Sequence, residues 1–260
     1  MGRPAFTLAL RLRLPSTLSA SVGLIAIMAA VGALFPAVGH TIGRLDIPKG
    51  VADLLGGADY GTITGWFRSE IASIYGPLVI GALAITAAVG STAGEEESRI
   101  LALTLAYPIT RSRLLIARAA AIAGVVVILA LATWAGLIVG VAVGGGGIAL
   151  TKITALAVQL AFFGIATGAV AIALGAGTGR RALATGVAAA VGIGGWLINS
   201  FAPLVSGLEW LKYLSPFYYY AGHDPLSQGI DLVGIVVLGA ATLVLMALAI
   251  VGLERRDLRA

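Results

Sequence analysis

The sequence predicts an all-α membrane protein built on six transmembrane helices, and three observations carry that prediction. Of the 260 residues, 59% are hydrophobic and only 11% are charged, against roughly a quarter in ordinary soluble domains. Mean hydropathy is +1.00, which leaves too little polar surface to clothe a soluble fold. The few charges also cluster. They leave six stretches without Asp, Glu, Lys or Arg, at 14–43, 71–94, 119–151, 153–179, 182–208 and 232–253. The shortest has 22 residues, and a helical span needs about 20. A transmembrane barrel would show segments of about 10 residues with alternating polarity, and these runs do not alternate.

The elements follow in order. Residues 1–16 form a basic lead, with Pro15 in the first helical turn, where its missing N–H has no partner to lose. The first span is expected at about 17–37, as an uncleaved anchor, because its charge-free run exceeds a signal-peptide core. A mixed loop at 38–70 follows, with Asp46, Asp53 and Asp59 in a spacing that is not a calcium-loop pattern. Trp66, Phe67 and Tyr75 suit an interfacial belt ahead of the second span, at about 71–93. The third span is expected at 114–143, before a Gly-rich turn at 144–147. The fourth is expected at 153–176, the fifth at 183–205 and the sixth at 230–253. The whole chain, 1–260, reads as a single transmembrane domain.

Charge asymmetry orients the spans. The N-terminus, the 95–118 region, Arg180 with Arg181, and the C-terminal tail together hold 12 Lys and Arg, against 5 in the alternate segments. The positive-inside rule then places both termini in the cytoplasm of a multi-pass protein of the plasma (inner) membrane. The same distribution makes the basic balance a topological feature, so no nucleic acid is expected as a partner.

Several chemistries lack their residues. There is no Cys, which excludes disulfides and thiol catalysis. The sequence contains no phosphate-loop motif and no metal-ligand cluster, so no catalytic or metal-binding residue is assigned. The expected span interiors hold no ionisable side chain, with Arg118 close enough to the helix start to snorkel outward. Such an interior argues against an ion-coupled pump. Gln159 and Asn199 are the notable polar side chains within spans, lining a pathway or bonding a neighbouring helix. Gly is abundant, at 36. Gly136, Gly140 and Gly144, and Gly164 and Gly168, recur at the four-residue spacing that lets helices approach closely.

The most informative segment lies between the second and third spans. Glu95, Glu96 and Glu97 stand where a helix N-terminus favours negative charge, and Arg99 is spaced to pair with Glu95. Ile100, Leu101, Leu103 and Leu105 give an apolar face, Pro108 breaks the helix and Thr110 can cap the third span. This reads as an amphipathic helix, either docking a soluble partner or lying in the interface.

The ordered set of motifs resembles a type-2 ABC transporter permease of the drug and antibiotic exporter branch. The set comprises Glu95 to Glu97, Leu101 to Leu105, Tyr107-Pro108-Ile109-Thr110-Arg111 and Arg118, then Leu211 to Leu226 ahead of the last span, and Glu254 to Leu258. Ser98-Arg99 depart from the Gly-Thr common in that family. The resemblance implies a cytoplasmic coupling helix and an extracellular re-entrant hairpin. Glu95, Glu96, Glu97, Arg99, Leu101, Leu105, Tyr107, Pro108 and Arg111 would then couple to a separate ATPase, the acidic residues meeting basic residues on it. Trp210, Tyr213, Pro216, Phe217 and Tyr218 would form the outer gate. ATP and magnesium would sit on that ATPase, with no cofactor on this chain and no enzyme activity of its own. Further partners would be a second permease subunit, making a homo- or heterodimer, and membrane lipid. The cargo would be a hydrophobic or amphipathic compound such as a drug, antibiotic or lipid-like molecule. A membrane scaffold for cofactor delivery, as in copper-enzyme maturation, is the rival reading, disfavoured by only two His and three Met.

Overall fold

The computed structural model describes residues 2–39, 41, 60–98, 100–101 and 109–256. Every regular element among them is helical. Six helices have the length and composition to cross a membrane: Leu14–Gly39, Ile63–Glu97, Arg111–Val143, Leu150–Thr178, Arg181–Leu204 and Leu232–Glu254. They agree with the six expected spans, with one large shift in a boundary. Asp46, Asp53 and Asp59 lie outside the described residues.

That shift is at the second span, which starts at Ile63 rather than near residue 71. Arg68 and Glu70 interrupt the apolar run, so the sequence reads as loop there. The backbone is helical nonetheless, with the Thr62 side chain accepting from Gly65 N–H at 3.1 Å. Over Arg68–Tyr75 the helix widens into π turns, closing with Gly76 N–H donating to the Ile71 carbonyl. Pro77 accounts for the widening. It has no N–H, and its ring would crowd the Ser73 carbonyl in a regular α-turn. The same shift corrects the aromatic belt. Trp66 and Phe67 are buried, and the Trp66 indole donates to the Val31 carbonyl of the first span at 2.9 Å. Tyr75 alone of the three is exposed.

The third span is capped by Thr110, whose hydroxyl accepts from Arg113 N–H at 3.4 Å. Its 33 residues measure about 50 Å, well beyond a hydrocarbon core of about 30 Å. The turn that follows uses Gly145, Gly146 and Gly147 at φ of 104°, 80° and 111°, a region that side chains rarely enter. The fourth span is the most enclosed and packs against the second, third, fifth and sixth. It ends at Gly179, left-handed at φ 62°. The fifth and sixth spans bury few side chains of their own.

Small residues set the closest approach. A Cβ on Gly32 or Gly140 would run into the facing backbone, Gly140 on Gly32 and the Met28 carbonyl on Gly140. A Cβ on Gly136 would stand 2.9 Å from the Met28 side chain. The first and third spans therefore touch backbone to backbone. Gly164 lets Ile80 and Val126 close on the fourth span, and Gly168 meets Ala84 and Ile122. Lipid tails are as apolar as Leu, so this packing, more than water exclusion, drives association. Gly140→Val is expected to lower the melting temperature of the purified chain in detergent by at least about 3 °C through overpacking. Gly186→Ala, with open space around its Cβ, is expected to leave the melting temperature unchanged.

Candidate coupling site at the basic end of the bundle

The second span does not stop at its last apolar residue. Ser91 and Thr92 hydroxyls bond back to the Ala87 and Ala88 carbonyls at 2.9 and 2.8 Å, which turns the chain. The short helix Ala93–Glu97 follows and delivers three carboxylates into the midst of the other spans. Each finds a different partner. Glu95 pairs with Arg118 of the third span. Glu96 is buried and pairs with Arg256, just past the sixth span. Glu97 accepts from the Arg181 backbone N–H at 2.8 Å, an orphan donor in the first turn of the fifth span.

Two further contacts complete the knot. Arg111 donates to the Leu253 carbonyl at 3.1 Å and the Arg256 carbonyl at 2.8 Å. The first is a late carbonyl of the sixth span and the second lies just past its end, where helical partners are lacking. Burial pushes the guanidinium of Arg13, just before the first span, below the ordinary arginine range, and the Glu95 charge opposes that shift. The fourth span joins through glycine. A Cβ on Gly175 would collide with the Thr92 hydroxyl, and one on Gly179 would stand 2.7 Å from the Glu96 carboxylate.

This arrangement corrects one expectation. Arg118 does not snorkel outward; it is buried against Glu95, so the bundle holds an ionisable pair inside a helix end. Glu95 pairs with Arg118, while Arg99, the partner offered by the sequence spacing, lies outside the described residues. All three carboxylates have partners within this chain, and Glu97 stays exposed. Leu101 is buried, beside Thr92, Glu96, Leu115 and Arg118. Arg99, Leu105, Tyr107 and Pro108 lie outside the described residues. Arg181 was legible in the sequence as a topology-setting charge and Arg256 also as part of the Glu254 to Leu258 motif, but neither as a partner of the acidic helix.

At the opposite end, residues 205–231 fold into short turns: Glu209–Leu214, Pro216–Ala221 and Pro225–Gln228. Trp210 and Tyr213 are exposed, and Tyr218 packs edge-on against Tyr213 at 4.9 Å. Ser215 donates to the Gly195 carbonyl at 2.7 Å, which brings Pro216 against the fifth span. Phe217 turns inward onto Phe163 at 4.7 Å. Tyr220, absent from the sequence-derived set, is fully buried beside the same ring at 5.2 Å, and burial pushes its phenol above the ordinary range. Gln159 is fully buried one turn before Phe163 on the same helical face, and neither amide atom has a hydrogen-bond partner among the described residues. Asn199 lies half-buried on the fifth span, at the wall of a cavity. Arg68 and Asp224, also missed from sequence, form an ion pair there at 3.0 Å.

A family profile described as multidrug efflux system permease Rv1217c, C-terminal domain, matches residues 3–254. The chain belongs to this efflux permease family. No curated protein matches the chain. As an efflux permease it is a multi-pass membrane protein and a transport component. The family match covers the acidic helix, Arg118 and Arg181, and ends two residues before Arg256.

Breaking one partner of a buried ion pair strands the other, at about 3–5 kcal/mol. Glu95→Gln and Arg118→Met are each expected to destabilise the permease by about that much in mixed-micelle denaturation. The double variant recovers most of the loss, because no lone charge remains. Glu97→Ala, at an exposed carboxylate, is expected to change stability by less than about 1 kcal/mol.

Proposed function

We propose that the chain is the membrane-spanning subunit of a type-2 ABC exporter, working with a separate ATPase and a second permease subunit. The observation that carries this reading is the acidic helix Ala93–Glu97, which ties one end of the bundle into a unit next to the 99–108 segment. A soluble motor docked on that segment has a stiff object to move. Closure of the ATPase pair on ATP would press on the segment. The Glu95–Arg118 and Glu96–Arg256 pairs would pass the displacement to the third and sixth spans, and Glu97 would pass it to the fifth. The carboxylates thus act as transmission inside the permease rather than as the docking contact.

The arginine-rich end lies in the cytoplasm on this reading, as the 12 to 5 bias of Lys and Arg requires. The aromatic turns at 205–231 then face outward and close the pathway, with Phe217 and Tyr220 as the inner seal. The cargo is an amphipathic or hydrophobic compound, and ATP with magnesium stays on the partner ATPase.

The chain has no native Cys, which makes single-cysteine tests clean. Ile100, exposed on the acidic side, replaced by Cys is expected to cross-link to the copurified ATPase. Ser98→Cys is expected to react with a membrane-impermeant maleimide only from the cytoplasmic side, and Ser206→Cys only from outside. The purified chain alone is expected to show no ATP turnover, and the complex to show it. No cross-link to an ATPase, or inverted labelling, contradicts the reading; a copper-enzyme partner recovered instead of an ATPase supports the scaffold alternative.

A further inference from the structure

Two cavities lie side by side at the end opposite the arginine cluster, and they differ in chemistry. One, about 400 Å³, is walled by apolar side chains of the second, fourth and fifth spans, Leu78, Ile85 and Ile193 among them. The other, about 380 Å³, carries the Arg68–Asp224 pair, Asn199 and Ser200. Ser73, Trp196 and Phe217 line both, so the two share a wall. Each volume falls within the roughly 300–1,000 Å³ of sites for drug-sized ligands.

Asp224 makes the polar cavity more than a gap. Among the described residues it is the one non-glycine with positive φ, at 50°, a conformation Asp tolerates but does not prefer. Its side chain is 8% exposed, against 34% for Arg68. Oδ2 takes the guanidinium at 3.0 Å, while Oδ1 is buried without a hydrogen-bond partner among the described residues. A buried carboxylate oxygen without a donor is a destabilising arrangement, and backbone strain is often kept where a ligand acts. Among the described residues, Arg68 and Asp224 are also the only ionisable ones lining this cavity. Arg68 reaches solvent and loses little on release; Asp224 does not.

We propose that the two cavities form one binding site for a cationic amphiphile, the apolar chamber taking its hydrophobic body and Asp224 taking its protonated amine in exchange for Arg68. Trp196 and Phe217, on the shared wall, supply aromatic rings, which also favour a cation. Arg68 acts as a latch that keeps Asp224 neutralised while the site is empty. The identity of the bound compound as cargo rests on the export reading above; the site itself does not.

The test uses the full chain in lipid nanodiscs and two fluorescent probes, cationic rhodamine 6G and neutral Nile red, read by anisotropy. Asp224→Asn is expected to weaken rhodamine 6G about tenfold, the effect of losing one charge-assisted hydrogen bond, and to leave Nile red within about twofold. Arg68→Gln is expected to tighten rhodamine 6G, because the competing cation is gone. Gly192→Leu, which fills the apolar chamber where a Cβ now meets nothing, is expected to weaken both dyes. A folded Asp224→Asn chain that holds rhodamine 6G like the parent, or loses both dyes equally, overturns the site. If that variant does not fold, Arg68→Gln is decisive: unchanged or weaker rhodamine 6G binding overturns it. Dye efflux from cells carrying the chain with its ATPase separates the two claims. Binding without efflux removes the export reading and leaves the site. Efflux with binding indifferent to Asp224 and Arg68 removes the site and leaves the reading.

Discussion

Three carboxylates on one short helix, each held by a different part of the bundle, are the constraint on which the remaining structure depends. A buried charge without its partner is strongly destabilising. Glu96 and Arg118 are both buried, so neither can separate from its partner without exposing the other. The ends of the second, third and sixth spans are thereby locked together. The Glu97 bond to Arg181 brings in the fifth, and the Arg111 bonds to Leu253 and Arg256 close the ring. The lock works because Gly175 and Gly179 of the fourth span leave room for Thr92 and the Glu96–Arg256 pair.

The lock reaches the other end through the fourth span. Gly175 touches the acidic segment, and Phe163 on the same helix receives Phe217 and Tyr220 from the far turns. Twelve residues of continuous helix separate them, about 18 Å. A helix held on several sides transmits a shift at one end to the other without a separate relay. The first span is fixed differently, by glycine contact with the third span, where Gly32, Gly136 and Gly140 bring the backbones together. Charge therefore organises one end of the bundle, and small residues organise its middle.

Much of this was legible in the sequence, and the reasons for the rest are physical. Gaps between charges located six spans, because a bilayer tolerates few ionisable groups. The start of the second span was hidden because Arg68 and Glu70 sit within a helix whose outer turns carry charge. Trp66 and Phe67 were misplaced for a related reason: an aromatic at a lipid interface and one buried against a helix have the same sequence signature. The Gly136 and Gly164 patterns marked packing faces but not their partners, since apolar residues facing lipid and protein look alike. Arg118 and Arg256 were read as surface charges because a sequence counts charges without pairing them. Asp224 was legible only as one position of the Leu211 to Leu226 motif. Its left-handed backbone and its pairing with Arg68 exist only once residues 68 and 224 meet.

The account claims that the arginine-rich end moves as one body. Pulsed electron-spin distances between labels at Arg113, Arg180 and Arg255 test it directly, since all three are exposed and the chain is free of Cys. The assembly proposed above would be measured in nanodiscs with and without ATP trapped on the proposed ATPase. The account predicts that distances within one permease subunit stay constant while those between the two subunits change. Within-subunit distances that change by as much as those between subunits would contradict it.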